Sequence, residues 1–558
     1  MHVQDALARP ESYPDAPTQV SVRETHISWV FLAGEFAYKL KKPLVLDFLD
    51  YGTPERRRWL CEEEVRLNRR LAPDLYLGVR GVTVADGKAE LVSPEDPRAV
   101  DFVVQMRRYE EGDTLASRLA RGELTREQIR RVGKVLAAFH ARAEPIWDIE
   151  APVLAVERRF EENLHELLAL VEQRAEIGRV QAVERFAHAF LTAHAGTFQR
   201  RVTEGWIREG HGDLRAEHVI VDGTVQIVDC VEFDPDLRRL DVADDLAFLV
   251  LDLAARGGAH LGQELVRAYR EAGGNAGQDH LISFFAAYRA LVRAKVALLR
   301  AAQLPRASAS RARESANARG LIAAAERFAW QGRLPLVIAV CGVPASGKTY
   351  LASTLAPQTG LPHVSSDLAR KRLAGVRSTE RAPAEAYSVG WNRRTYSELG
   401  RRAADALDTI GGVIVDATFR HAEDRRAFVT GLGREVPILF VECLAPRTVL
   451  AARAARRERS PRRVSDANLA VVVREAESWE PLDEIPAQAH LALRTDRPVE
   501  AVVGDLMALL DRRLGGGVNY RPGQRTDPDA HLSRLDYRRS HDNSSQATEG
   551  SDAGTRGR

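Results

Sequence analysis

A chain of 558 residues with a formal net charge of +2 is too long for one ordinary hydrophobic core. It also lacks the global basic field that would demand nucleic acid or an anionic membrane as partner, so two globular domains are expected. Its four cysteines, Cys61, Cys230, Cys341 and Cys443, show no CxxC spacing, which argues against a disulfide framework or a thiolate zinc site and fits a reduced cytoplasm.

No run approaches the roughly 20 apolar residues that span a bilayer, and Met1 to Pro17 lacks the basic and apolar segments of a secretory signal. From Thr25 to Leu46 the pattern predicts a hairpin: an apolar run, Ile27 to Leu32, a turn at Ala33-Gly34-Glu35, then Phe36-Ala37-Tyr38-Lys39-Leu40. Residues 54 to 71 predict a helix with Leu60, Leu67 and Leu71 on one face and Glu64 on that same stripe. A strand over Asp101 to Met106 follows, then helices over 124–145, 154–176 and 179–201. Next, Val219-Ile220-Val221 and Val225-Gln226-Ile227-Val228 flank Asp222-Gly223, a pair suited to a tight hairpin turn.

Residues 260 to 330 read as helical, and Arg289 and Arg293 within them, at i, i+4, either face an anionic acceptor or, as the more ordinary pattern, lie on a solvated face. The junction is placed near Gln331-Gly332-Arg333. Beyond it, strands at Leu336 to Val340, 413–415 and 437–442 alternate with helices, the pattern of a parallel α/β sheet. After Leu514 the composition predicts a disordered tail. The expected organisation is therefore one domain over 1–330, a second over 334–514, and a tail over 515–558.

Gly342-Val343-Pro344-Ala345-Ser346-Gly347-Lys348-Thr349 matches GxxxxGK[ST] in the setting that the chemistry needs, after an apolar strand and before a helix. Glycines let backbone N–H groups face phosphate oxygens, Lys348 reaches the β/γ-phosphates of ATP, and Thr349 ligates Mg²⁺. Two later strand ends carry carboxylates: Asp367 in Ser365-Ser366-Asp367-Leu368-Ala369-Arg370, and Asp416 in Val415-Asp416-Ala417-Thr418. Asp367 is a candidate to orient an acceptor hydroxyl, Arg370 to clamp an anionic part of that acceptor, and Asp416 to hold the Mg²⁺ shell; helix capping is the simpler alternative for either carboxylate. Arg453, Arg456, Arg457, Arg459, Arg462 and Arg463 form either a phosphate-covering lid or a solvated face. Together these segments resemble the P-loop kinases that include gluconate kinase, polynucleotide kinase 5′-kinase domains and zeta-toxin-like enzymes. The resemblance implies ATP-dependent phosphorylation of a hydroxyl without naming its bearer, and a small hydroxylated metabolite is the expected acceptor.

In the first half, His211-Gly212-Asp213-Leu214 precedes the second hairpin and Ile227-Val228-Asp229 ends it. This resembles the aminoglycoside phosphotransferase (choline-kinase-like) branch of the protein-kinase-like fold, which implies that Asp213 orients the substrate hydroxyl and Asp229 carries Mg²⁺. Asp241-Val242-Ala243-Asp244-Asp245-Leu246-Ala247 resembles the segment that braces the catalytic loop in that family. The family's lysine–glutamate pair falls to Lys39 and Glu64, with Lys41, Lys42 and Glu63 as competitors. The position of the family's metal-holding Asn is occupied by His218, a poor ligand for Mg²⁺, so activity in this half is expected to be weakened, restricted to one metal, or absent, the last making it a nucleotide- or ligand-sensing pseudokinase that regulates a P-loop ATPase or kinase. A glycine-rich phosphate cover is missing from Thr25 to Lys42. The order of the halves resembles the bacterial bifunctional aminoglycoside phosphotransferase/ATP-binding proteins. The fold class this implies is an α+β protein-kinase-like domain followed by an α/β P-loop kinase domain with a parallel sheet.

Overall fold

The computed structural model describes residues 2–46, 49–85, 87–458, 475 and 477–514. It divides into two compact units, Met1–Arg333 and Leu334–Arg558. The expected tail lies outside the described residues.

The first unit begins with an antiparallel sheet of six strands among the described residues. Its order is Val20–Glu24, Ser28–Ala33, Phe36–Lys41, Asp101–Arg107, Tyr76–Ala85, Lys88–Val92. The predicted hairpin sits inside it, with Val30 opposite Lys39 and the turn at Gly34 in the left-handed region (φ 60°). Alternation along Phe36–Lys41 sends Tyr38 and Leu40 into one apolar cluster with Phe31 and Val103, and Ala37 into another with Val65, Val104 and Ile220. Lys39 shares the latter face and faces the Pro54–Asn68 helix, which packs on the sheet with Cys61, Glu64 and Val65 buried.

Helices over Arg126–Arg142, Pro152–Leu170, Arg174–Thr203, Val242–Ala255, Ala259–Glu271, Asp279–Gln303 and Ala309–Gln331 build the rest of this unit. Between them lie the two-stranded hairpin Val219–Asp222 with Thr224–Ile227, turning at Gly223 (φ 61°), and the short pair Ile207–Glu209 with Arg239–Asp241.

The second unit is a parallel sheet of five strands among the described residues, in the order His363–Ser365, Gly412–Asp416, Leu336–Cys341, Ile438–Leu444, His490–Arg494. Leu336–Cys341 is buried throughout, as a central parallel strand covered on both faces must be. Lys348–Thr359, Val389–Ile410 and Ala422–Leu432 are among the covering helices. Among the described residues, no helix is long and apolar enough to cross a membrane.

Candidate functional sites

In the first unit the sequence-derived residues converge. Lys39 Nζ donates to Glu64 Oε1 at 2.9 Å and to Asp229 Oδ1 at 2.8 Å, joining strand, helix and hairpin end. Burial opposes the Lys39 charge, but Asp229, Glu64 and Glu232 outweigh it and hold its pKa well above the ordinary value. Lys39 in turn pulls Asp229 far below the usual carboxylate range. Asp229 is held in the left-handed region (φ 66°), which non-glycine residues adopt only when their surroundings fix it. Here its N–H donates to Tyr76 Oη at 3.3 Å, and the next N–H, of Cys230, donates to Asn68 Oδ1 at 2.9 Å.

Lys41, one of the competitors, does not stand apart. It is fully buried and donates to Glu64 Oε2 and Glu232 Oε1, while Tyr51 Oη donates to that same Glu232 oxygen at 2.6 Å. Glu64 is thus shared by two lysines. Glu63 pairs instead with Arg66 and Arg238, and Lys42 with Glu24.

The HGD loop is locked by Asp245. Its Oδ2 accepts from the His211 N–H (2.7 Å) and from His140 Nε2 (3.2 Å), and its Oδ1 from the Gly212 N–H (3.0 Å). Burial disfavours that charge, but these donors overcome it and keep the Asp245 pKa below its ordinary value. His211 donates through Nε2 to Val228 O (3.0 Å), tying the loop to the hairpin end, and its burial lowers the imidazole pKa. Gly212 has φ 86°, and a Cβ there would lie 2.9 Å from Leu237 O, so the loop requires glycine.

Ligand atoms of Asp213, His218 and Asp229 lie within 4.8 Å of one another. His218 Nδ1 donates to the Asp213 carbonyl (2.9 Å), which leaves Nε2 as acceptor, and that lone pair receives Arg215 Nη2 at 2.9 Å. Arg215 also binds Asp213 Oδ2 at 2.9 Å. His218, a candidate metal ligand only by standing at the family's metal-holding position, therefore has its free nitrogen engaged by a cation. Arg215, Glu232 and Tyr51 were missed by the sequence reading, which also held Lys41 only as an alternative to Lys39; of the three, only Arg215, two residues after Asp213, carried a positional signal.

The expectation of a solvated face for Arg289 and Arg293 is corrected. Arg289 is 7 % exposed and grips Asp244 in a fork, Nε–Oδ1 2.7 Å and Nη2–Oδ2 2.9 Å, while Arg293 binds Asp252. Asp252 Oδ2 accepts from the Ala216 N–H (2.8 Å), so Arg293 reaches the HGD segment from behind.

In the second unit the GxxxxGKT segment links the buried Leu336–Cys341 strand to the Lys348–Thr359 helix, with Gly342, Ala345 and Gly347 in the left-handed region (φ 132°, 65° and 103°). A Cβ on Gly342 would meet Cys443 O at 2.7 Å. Lys348 Nζ folds back onto Val343 O at 2.9 Å, and Thr349 lies exposed in the first helical turn. Pro344 and Ser346 are buried, and Ser346 Oγ has no partner among the described residues. Arg453 donates to Ser346 O (3.2 Å) and Thr495 Oγ1 (3.2 Å), and Thr495 Oγ1 donates to Ser346 O, so these two side chains hold the loop's carbonyls. Arg456 is exposed; the Arg457 side chain, Arg459, Arg462 and Arg463 lie outside the described residues.

Asp416 ends the strand beside the P-loop strand, opposite Val340, and is buried, with His363 Nε2 3.6 Å from its Oδ2. Asp367 is half-buried in the first turn of the Ser366–Leu373 helix, at the carboxyl edge of the sheet. Arg370 turns inward, contrary to the clamp expected of it. It is buried, donates to Ala386 O and to Asn392 Oδ1 (2.8 Å), and stacks over Tyr387 at 4.8 Å, so it fixes the 384–392 segment.

Comparison with known sequences matches residues 60–280 to the phosphotransferase enzyme family and residues 337–482 to an AAA domain. Uncharacterized proteins of Mycobacterium tuberculosis (strain H37Rv) and Mycobacterium bovis are 35 % identical over 444 residues, 78 % of this chain and 85 % of theirs. The chain belongs to the bifunctional aminoglycoside phosphotransferase-like/ATP-binding protein family. Among solved structures, a choline/ethanolamine kinase family protein from Mesorhizobium loti is 14 % identical, covering 58 % of this chain and 99 % of its own, TM-score 0.35. A gluconokinase from Sinorhizobium meliloti is 20 % identical, covering 32 % and 94 %, TM-score 0.25. By its two family matches and its own sheets, the chain joins an α+β phosphotransferase-type domain to an α/β P-loop kinase-type domain with a parallel sheet.

Proposed function

We propose that the protein is a cytoplasmic, ATP- and Mg²⁺-dependent kinase that phosphorylates a hydroxyl of a small molecule, with the P-loop unit as its principal catalyst. The observation that carries this reading is the segment Gly342–Thr349, bent by three left-handed residues between a buried strand and a helix N-terminus. That shape presents backbone N–H groups and the positive end of the helix to phosphate oxygens. Lys348 leaves Val343 O to meet the β/γ-phosphates. Asp367 takes the proton from the acceptor hydroxyl as its oxygen bonds to the γ-phosphorus; the bond from that phosphorus to the bridging oxygen breaks, and ADP leaves. Arg370 keeps the acceptor-side segment in place. The four free cysteines are buried, in keeping with a reducing compartment.

Magnesium fits both units by donor chemistry. Thr349 and Asp416 supply oxygen ligands in the second, Asp213 and Asp229 in the first, whereas His218 offers a nitrogen already receiving Arg215. When bound, the ion offsets phosphate charge. In the first unit Lys39 takes the α/β-phosphates and Asp213 orients the hydroxyl.

Arg215 on Asp213 favours a second reading, in which the first unit binds nucleotide without transferring it and regulates the second. One experiment separates these readings: γ-labelled ATP and Mg²⁺ with fractionated cytosolic metabolites, run on wild type, Lys348→Ala and Asp213→Asn. Label transfer lost only in Lys348→Ala supports the P-loop unit as catalyst and the first as sensor. Transfer lost only in Asp213→Asn reverses the assignment, and release of phosphate with no labelled product rejects the kinase reading.

A further inference from the structure

A recess in the helical part of the first unit shares no residue with the Lys39–Glu64–Asp213–Asp229 group. It is partly open to solvent, with a cavity volume of about 40 Å³, between the starts of Pro152–Leu170 and Val242–Ala255, the end of Arg174–Thr203 and the first half of Asp279–Gln303. Ala155, Val156, Phe198, Val202 and Phe285 give it apolar walls.

Its charged lining does not cancel. Asp241 is held by Arg201 (Nη2–Oδ1 2.7 Å) and Asp244 by Arg289, so both carboxylates are neutralised inside the protein. Arg159 also lines the recess; its one hydrogen bond among the described residues is a long contact from Nε to Ala155 O (3.4 Å), and its charge favours the Asp244 carboxylate without a salt bridge to it. The Tyr288 hydroxyl, on the facing helix, has no hydrogen-bond partner among the described residues. Burial raises the Tyr288 pKa, which keeps that hydroxyl a donor. An apolar slot with one guanidinium in no salt bridge among the described residues and one hydroxyl without a hydrogen-bond partner there has the makeup of a small-molecule site: apolar walls for binding and a few polar groups for orientation. A half-buried cation gains from an anion that shares its low-dielectric surroundings.

We infer that this recess binds a small carboxylate, its head on Arg159 and Tyr288 and its aliphatic or aromatic body between Ala155, Val156 and Phe198. The ligand differs from a polycationic aminoglycoside in charge and in size. Asp244 on the recess wall is followed by Asp245, which holds the HGD loop, so the site lies on the turn of helix that braces that loop.

The test is calorimetric titration of the full chain with benzoate, hexanoate and octanoate, beside benzamide and hexanol as uncharged counterparts. At least one carboxylate is expected to bind saturably, with its uncharged counterpart at least ten-fold weaker. Arg159→Gln is expected to weaken binding ten-fold or more, and Ala155→Phe, which fills the slot, to abolish it, both variants retaining wild-type circular dichroism. Absence of saturable binding by all three carboxylates overturns the inference, as does binding that neither substitution alters.

Discussion

Arg289 shows how a single pairing changes the meaning of a side chain. Its fork to Asp244 is buried, and removing one member of such a pair leaves the other charge without its partner, at a cost of about 3–5 kcal/mol. Arg289→Leu is therefore expected to lower the urea stability of the first unit by roughly that amount; a change below about 1 kcal/mol would place Asp244 in contact with water. His218 makes the opposite kind of prediction, one about function. His218→Asn offers Mg²⁺ an amide oxygen and releases Arg215 from its imidazole partner, so the Mg²⁺ concentration needed for half-maximal nucleotide binding by an otherwise Lys348→Ala chain should fall several-fold. An unchanged requirement would mean that position 218 does not face the ion.

At the scale of elements, the His194 and His280 rings stack at 4.6 Å between the Arg174–Thr203 and Asp279–Gln303 helices. Burial, reinforced by His194, pushes the His280 pKa down to about 4. The unfolded chain holds its proton up to about pH 6.5, so it binds more protons than the folded chain across this window. Stability from the neutral ring is complete above pH 6.5 and is lost as pH falls toward 4. Between those limits wild type should lose about 1–2 kcal/mol more than His280→Leu, after allowance for partial exposure; equal losses would reject the account. Elements whose period is written in the sequence were legible: the Ser28–Lys41 hairpin, the Asp222-Gly223 turn, the long helices and the P-loop strand. The Val20–Glu24 strand was not, because its edge position leaves it largely exposed and its alternation is confined to Val20 and Val22. HGD, VD and GKT were legible because each is a contiguous loop. Glu232 and Tyr51 were not, because they meet Lys41 or each other across 191 and 181 residues, and neither local propensity nor spacing records such a meeting.

For the whole molecule, two compact units predict two calorimetric transitions. ATP with Mg²⁺ at a hundred times its dissociation constant should stabilise a binding unit by about 2.7 kcal/mol. Lys348→Ala should remove that upward shift from one transition and leave the other as in wild type; loss from both would show that the units unfold as one. The shared carboxylate of Glu64 has a consequence on an evolutionary timescale. When Lys39 is exchanged for a neutral residue, Lys41 still neutralises Glu64 and the helix remains seated on its sheet. A descendant can therefore abandon phosphoryl chemistry in this half while keeping its architecture, and an intact N-terminal domain in a relative is no testimony to its activity.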